Sequence, residues 1–322
     1  IVSPANANGV VGIKPSVGLV SRAGVIPISH TQDTVGVHAR SVADAAAVLT
    51  ALASGPADPR DPATSEATGA GTDYTRFLDP NGLKGARIGV ARNLGFDASP
   101  AVDAVMWKAI QAMEAAGAVI VDPAAIPSDL DVASEAELEV LLFEFKADLN
   151  AYLATRQDVA LDREGYQRTL AGLIAFNQEH AEQELPFFGQ DIFLAAEARG
   201  PLTDPAYLRA LETSRRLSGS EGIDQLVRDH RLDALVAPTS GPARPIDLIN
   251  GDARSPGSSS VAARVGYPIV SIPIGFIGGM PMNLSFFGPR FSEPMLIRLA
   301  FALEQLTLAR QPPRYLPSLP AW

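Results

Sequence analysis

Apolar positions along this chain recur at several spacings, and each spacing predicts a different element. Val42, Ala45, Ala46, Leu49 and Leu52 repeat at helical steps and form one apolar face. Ser41 precedes them as an N-cap with Asp44 three residues on, and Ser54-Gly55-Pro56 ends the run. Unbroken apolar runs at Ala86–Ala91 and Ala118–Val121 read as strands. Between them Val102, Val105, Met106, Ala109, Ile110 and Met113 give a second helical face, opened by Ser99 and Pro100 and closed by Gly117. Strand, helix and strand at this spacing predict a βαβ crossover onto a parallel sheet.

From 134 to 230 the period is helical almost throughout. Ser134 with Glu137 reads as a capping box ahead of Leu138, Leu141, Leu142, Phe145, Leu149 and Tyr152. Further helices are predicted over 166–182, 191–199, 204–218 and 221–230, the third opened by Asp204-Pro205. The turn from Glu184 to Gln190 places aromatic and amide groups between two helices, which suits a pocket wall. After 233 the pattern returns to α/β. Leu235–Ala237 is a strand ending at Pro238-Thr239-Ser240, and strand ends of this kind are where open α/β sheets bind ligands. Ser258–Ser260 leads into a short helix as its cap. Pro268–Pro273 and Met282–Phe287 read as buried strands, and Ser292 caps a last helix carrying Leu296, Leu299, Ala300, Leu303 and Leu306.

The opening segment has a different texture. Gly9, Gly12, Gly18, Gly24 and Gly36 punctuate short apolar pieces such as Val10–Val11 and Val25–Ile28, which predicts a compact web of turns and short strands. Ile1 and Val2 read as the middle of a strand or turn. The stretch from Gly9 to Gly12 is not a dinucleotide fingerprint, because the third glycine is misplaced. Lys14 is followed by Pro15, so it is not a P-loop lysine either. Residues 54–73, rich in Pro, Gly, Ala and Asp, predict a surface loop.

Composition narrows the picture. The 322 residues are 47% hydrophobic and 19% charged, enough for one large or two ordinary domains with a substantial core. A net charge of −10 makes a nucleic acid a poor partner. The most apolar run, Tyr267–Met282, is broken by prolines and glycines and predicts no membrane span. The absence of cysteine removes thiolate chemistry and leaves the redox compartment undecided, with a cytoplasmic location favoured over a secreted or periplasmic one.

Candidate chemistry is sparse. His30, His38, His180 and His230 have no i, i+4 pair, so no metal site is predicted. Ser29, His30 and Asp33 suggest a relay, but neighbours along a strand point to opposite faces. Ser258–Ser260 lacks a nucleophile elbow. Residue types and spacing alone single out no catalytic centre.

Longer blocks carry more. Asn8-Gly-Val-Val-Gly-Ile-Lys-Pro15, Gly18-Leu-Val-Ser-Arg22, Gly24-Val-Ile-Pro27, Gln32-Asp33 and Ala39-Arg-Ser-Val-Ala-Asp-Ala45 together resemble the second half of the amidase signature. Asp58-Pro-Arg-Asp-Pro62, Ala237-Pro-Thr239, Gly266-Tyr-Pro268 and Phe287-Gly-Pro-Arg-Phe291 resemble later blocks of that family. Phe143-Glu-Phe-Lys146, Tyr152-Leu153, Ile174-Ala-Phe-Asn177 and the segment Glu184–Gln190 are similar to its peptide amidase branch.

The resemblance implies an α/β amidase-signature fold, a large mixed twisted β-sheet surrounded by many α-helices. Residues 1–322 would be the C-terminal two-thirds of a single domain: 1–53 the downstream half of the signature, 54–73 a surface loop, and 84–322 the remaining α/β and helical substrate-cleft region. It implies hydrolysis of a carboxamide, a C-terminal peptide amide or another small amide, to acid and ammonia. The chemistry would use a nucleophilic Ser, a bridging Ser in a cis peptide and a Lys, with no metal or organic cofactor. The nucleophile would stand immediately before Ile1, with the bridging Ser and the Lys further upstream, so no catalytic residue is assigned within the chain. Lys14 does not align with the catalytic Lys. The upstream segment of the same protein would be the chain's partner, alongside the amide substrate. Asp33 is the candidate for orienting groups near the centre, with a turn or cap role as its alternative. Phe188 and Gln190 are candidates for the cleft wall, and Thr239 for a strand end that faces it. The competing readings are an amidotransferase A-type subunit for tRNA-dependent transamidation, and an inactive fragment without its catalytic centre.

Overall fold

The computed structural model describes the chain except residues 68, 70, 158–160, 162–164, 252–254, 316, 317 and 319–322. In chain order its elements are α1 (Val2–Asn8), β1 (Val11–Lys14), β2 (Val37–Ala39), α2 (Val42–Leu52), β3 (Arg87–Val90), α3 (Pro100–Ala115), β4 (Val119–Val121), α4 (Leu130–Ala154), α5 (Leu170–Glu179), α6 (Ala181–Glu184), α7 (Asp191–Glu197), α8 (Pro205–Arg215), α9 (Asp224–His230), β5 (Ala234–Pro238), α10 (Ser259–Arg264), β6 (Ile269–Ile277), β7 (Met280–Phe287) and α11 (Glu293–Thr307). The chain divides into two compact units. One comprises Ile1–Arg22, Thr34–Ser128 and Ser218–Trp322, and the other Ala23–Asp33 and Asp129–Leu217. Among the described residues no helix is long and apolar enough to cross a membrane.

The first unit is built on a seven-stranded sheet of order β2-β1-β6-β7-β5-β3-β4. The predicted βαβ crossover is present: β3 and β4 pair in parallel, with Ile88 opposite Ile120, and α3 connects them. β5 joins β3 in parallel, while the pairs β5–β7, β7–β6, β6–β1 and β1–β2 are antiparallel. β5, Ala-Leu-Val-Ala-Pro, is buried along its whole length, which is why it carries no alternation. Pro273 is tolerated inside β6 because it lies beyond the residues that β1 pairs, and the register shifts between Pro273 and Gly275. α11 lies on β6 and β7 and against α2 and α3, and its buried Leu296, Leu299, Ala300 and Leu303 match the predicted face.

Two local expectations fail here. Ile1 and Val2 do not form a strand or turn: Val2–Asn8 is a short helix, closed by Gly9 at φ 61°. Pro4 fits its first turn, where an N–H has no helical partner anyway. Ser99, Ser258 and Ser292 do occupy N-cap positions, but none of their side chains makes a capping hydrogen bond. Ser41 does cap α2, accepting from the Asp44 N–H.

The second unit packs around α4. One side of α4 buries Leu142, Leu149 and Leu153 with Leu170 and Ala196, and another buries Val140 and Phe143 against Tyr207. A helix covered on more than one side loses the one-sided pattern that would mark its start in sequence. α4 begins at Leu130, not at Ser134, because Asp129 accepts from the N–H groups of Asp131 and Val132. Ser134 sits inside the helix, so its capping box with Glu137 does not form. The helix predicted from 166 starts at Leu170, with Thr169 accepting from the Gly172 N–H.

Replacing Asp129 with Ala should therefore destabilise this unit by about 1 kcal/mol, whereas Ser134→Ala should change stability by less than about 0.5 kcal/mol. Urea unfolding of both variants checks this, and the opposite order would mean the helix starts where the sequence pattern placed it.

Candidate functional site

In the first unit the end of β5 carries a buried polar ladder. Thr239, the sequence candidate at this strand end, is 1% exposed. Its hydroxyl lies 2.9 Å from Ser271 Oγ on β6 and 2.8 Å from Ser285 Oγ on β7. Ser271 and Ser285 face each other across the β6–β7 pair, so three strands place one hydroxyl each at the same level. Asn283 extends the ladder: its Nδ2 donates to Ser271 Oγ at 3.0 Å and to the Val10 carbonyl at 2.9 Å. Its backbone N–H donates to Asn6 Oδ1 at 2.7 Å, and Asn6 Nδ2 donates to the Gly241 carbonyl at 2.8 Å. Asn6 is 1% exposed, so α1 is pinned to the sheet by one buried amide.

The glycines of the opening segment make this docking possible. A Cβ on Gly12 would stand 2.7 Å from Ala5 Cβ, and one on Gly36 would stand 2.5 Å from the Ile13 carbonyl. Only a bare backbone lets α1 and Ile1 settle so close to β1. The Ile1 carbonyl accepts from the Ala5 N–H at 3.1 Å and from His38 Nε2 at 2.7 Å. Sequence reasoning singles out neither Asn6 nor His38 for a role here. Only their partners, distant along the chain, reveal them.

Lys14 lies beside this layer. It is 7% exposed, and its Nζ donates to the Pro15 carbonyl at 3.2 Å. Burial lowers its pKa to about 8, opposed by the nearby Glu293 carboxylate. Glu293 is 1% exposed and accepts from the Ser16 N–H at 2.6 Å.

In the second unit the segment Ala23–Asp33 is strapped to α4. Glu144 of α4 is wholly buried. Its carboxylate accepts from Ser29 Oγ, from Thr31 Oγ1 at 2.9 Å and from Tyr207 Oη at 2.7 Å. Asp148, one helical turn on, accepts from the His30 N–H at 2.8 Å and meets His30 Nδ1 at 2.9 Å. His30, Glu144 and Asp148 bring their ligand-type atoms within 4.8 Å of one another. A divalent ion would have to displace the His30–Asp148 bond, because each of these atoms already faces a protein partner. The search for paired histidines could not see this cluster, since its two carboxylates come from α4. Asp33 Oδ2 accepts from the N–H groups of Ile28 and Ser29 at 2.7 and 2.8 Å, which closes the turn that presents Ser29 and His30. Ser29, His30 and Asp33 do not form a relay in the order imagined: the Ser29 hydroxyl goes to Glu144, and Asp33 meets backbone.

Of the remaining candidates, Gln190 donates from Nε2 to the Ile174 carbonyl at 3.2 Å and accepts from Asn177 Nδ2 at 3.3 Å. Its amide is thereby fixed between α5 and α7. Phe188 is 79% exposed, so it presents its ring to solvent in this unit. Lys146 holds the end of α7, donating to the carbonyls of Glu197 and Arg199 at 2.5 and 2.9 Å.

Over residues 1–297 the chain matches the family model for amidases. It belongs to the amidase signature family. The seven-stranded mixed sheet with its flanking helices is the α/β amidase-signature fold. This amidase-signature chain is similar to the native peptide amidase of Stenotrophomonas maltophilia, with 48% identity and a TM-score of 0.87 over 98% of the chain and 62% of that protein. It is 40% identical to an Arabidopsis thaliana protein named a probable amidase, over 98% of the chain and 56% of the relative. It is also 30% identical to the A chain of the Symbiobacterium thermophilum glutamyl-tRNA(Gln) amidotransferase, over 95% of this chain and 61% of that one. The chain thus spans between just over half and about three-fifths of the length of these relatives.

Two outcomes follow from the geometry. Because the Lys14 pKa is about 8 in the folded chain against an ordinary 10.5, the unfolded chain holds more protons between those values, so this residue's contribution to stability rises with pH across that window. Between pH 8 and 9.5 the wild type should gain on the order of 2 kcal/mol relative to Lys14→Met, measured by denaturant unfolding at each pH; parallel curves would refute the shift. Glu144→Ala should cost about 3 kcal/mol, because it strands the donors of Ser29, Thr31 and Tyr207 without an acceptor. A thermal unfolding midpoint unchanged by Glu144→Ala would show that the strap contributes nothing.

Proposed function

We propose that this chain is the C-terminal part of an amidase that hydrolyses a carboxamide, a C-terminal peptide amide or a similar small amide, to acid and ammonia. The observation that carries this reading is the 48% identity to a peptide amidase with a TM-score of 0.87 along almost the whole chain. The blocks Phe143–Lys146, Ile174–Asn177 and Glu184–Gln190 support the peptide amidase branch in particular.

In this reading a serine immediately before Ile1 is the nucleophile. A bridging serine and a neutral lysine, both upstream, take its proton in relay, and its Oγ attacks the amide carbon. Backbone N–H groups before the serine hold the oxyanion, ammonia leaves with the relayed proton, and water hydrolyses the acyl-enzyme. The residues of this chain supply the seat: α1, pinned by Asn6, and the buried ladder beneath it keep the backbone next to the nucleophile from moving. Phe188 and the fixed Gln190 amide line the substrate cleft, and Asp33 holds the turn at its edge.

A second reading, an amidotransferase A-type component that releases ammonia from glutamine, is supported by the 30% identity to such a protein. Ammonia release by the full-length protein from an amidated peptide and from glutamine separates the two. We expect turnover of the peptide amide, loss of at least about a thousandfold on replacing the serine before Ile1 with Ala, and no ammonia from a polypeptide of residues 1–322 alone. Turnover of glutamine only would favour the second reading, and retained activity in the serine variant would sink the mechanism.

A further inference from the structure

The Ile1 carbonyl carries a hydrogen bond that the helix does not require. Ala5 N–H already completes the first helical turn to it at 3.1 Å. His38 Nε2, from a different element, adds a second and shorter contact at 2.7 Å. A carbonyl cannot donate, so Nε2 carries the proton in this contact.

The backbone around His38 is arranged to allow this reach. His38 lies directly opposite Gly12 in the β1–β2 pair. A Cβ on Gly12 would stand 3.7 Å from His38 Cδ2, 3.6 Å from the Ile1 carbonyl oxygen and 2.7 Å from Ala5 Cβ. The missing side chain therefore leaves a slot in which the imidazole passes over β1 to the start of α1. On the other side, the Ile1 side chain packs over Gly36, where a Cβ would come within 2.4 Å of Ile1 Cδ1. Ile1 is held from two sides, by a ring N–H on its carbonyl and by a bare glycine under its side chain.

We propose that His38 is a positioning residue for the amide-hydrolysing serine: its Nε2–H fixes the peptide unit that follows the nucleophile. This assignment rests on the amidase reading above, in which the nucleophile is the residue before Ile1. His38 touches no substrate. It acts by setting the backbone direction from which the serine side chain departs, and a carbonyl free to rotate would let the Oγ drift from the attack geometry. No base or acid role is implied.

The full-length protein tests this with three substitutions. His38→Phe keeps a flat ring and removes the donor. His38→Gln carries an amide nitrogen close to the Nε2 position, whereas the shorter His38→Asn does not reach it. We expect His38→Phe and His38→Asn to lower kcat on an amidated peptide about tenfold with KM within about twofold, and His38→Gln to recover most of the loss. Labelling of the serine by a fluorophosphonate should slow in the same order, with far-UV circular dichroism unchanged. Wild-type rates in His38→Phe, a Gln variant as slow as Asn, or a change confined to KM would each overturn the assignment and leave the amidase reading standing. A wild-type protein that neither releases ammonia nor labels at that serine would overturn the amidase reading, and this assignment with it.

Discussion

Asn283 is where the first unit is tied together. Its backbone N–H donates to Asn6, its backbone carbonyl accepts from the Thr239 N–H at 3.0 Å, and its side chain donates to Val10 and Ser271. One residue of β7 thus holds α1, the end of β5, the start of β1 and β6. Its side chain is wholly buried, and an unpaired donor there costs roughly 1–3 kcal/mol, so these elements are constrained to arrive together in one register. A one-residue slip of β7 would turn Asn283 to the other face and strand each of those groups. The glycines at 12 and 36 belong to the same constraint, since α1 could not come near enough to reach Asn283 with a side chain beneath it.

The second unit solves its central problem with charge. α4 buries apolar residues on more than one side and yet carries Glu144 in its interior. A buried carboxylate is tolerated only when donors surround it, and here they come from the Ala23–Asp33 segment and from Tyr207. Asp33 prepares that surrounding by folding its own turn, so an aspartate without substrate contact here still decides where Ser29 and His30 lie.

Elements with one dominant spacing are legible directly in the chain. α2, α3 and α11 show a single apolar face, and β3, β4 and β5 are short apolar runs between clear breakers. The start of α4 is not legible because a helix buried on several sides has no polar face to mark its phase, and Ser134 imitates a cap. α1 is hidden because seven residues with a serine and a proline near the front look like a turn until Gly9 shows its left-handed closure. The resemblance to a family places the chemistry just ahead of the chain, but the seat for it is hidden. Asn6 and His38 are ordinary polar residues in sequence, and what distinguishes them is a partner that only the folded sheet brings near. Thr239 does stand at a strand end as its sequence suggests, yet the neighbours that turn its hydroxyl inward, Ser271 and Ser285, lie on strands far along the chain.

The order of strands has a consequence for how the chain is made. β1 is among the first residues of this chain to leave a ribosome, but its inner neighbour is β6, and Ser16 waits for a carboxylate 277 positions later. The parallel group β3–β4 can close locally, while β1 and β2 must remain open-edged until almost the whole chain has been synthesised. Such long-range closure is slow and leaves an unpaired apolar edge in the meantime. The glycine-rich start of this chain is therefore the part most dependent on chaperoning during synthesis, even though it ends as one of the most tightly enclosed parts of the fold.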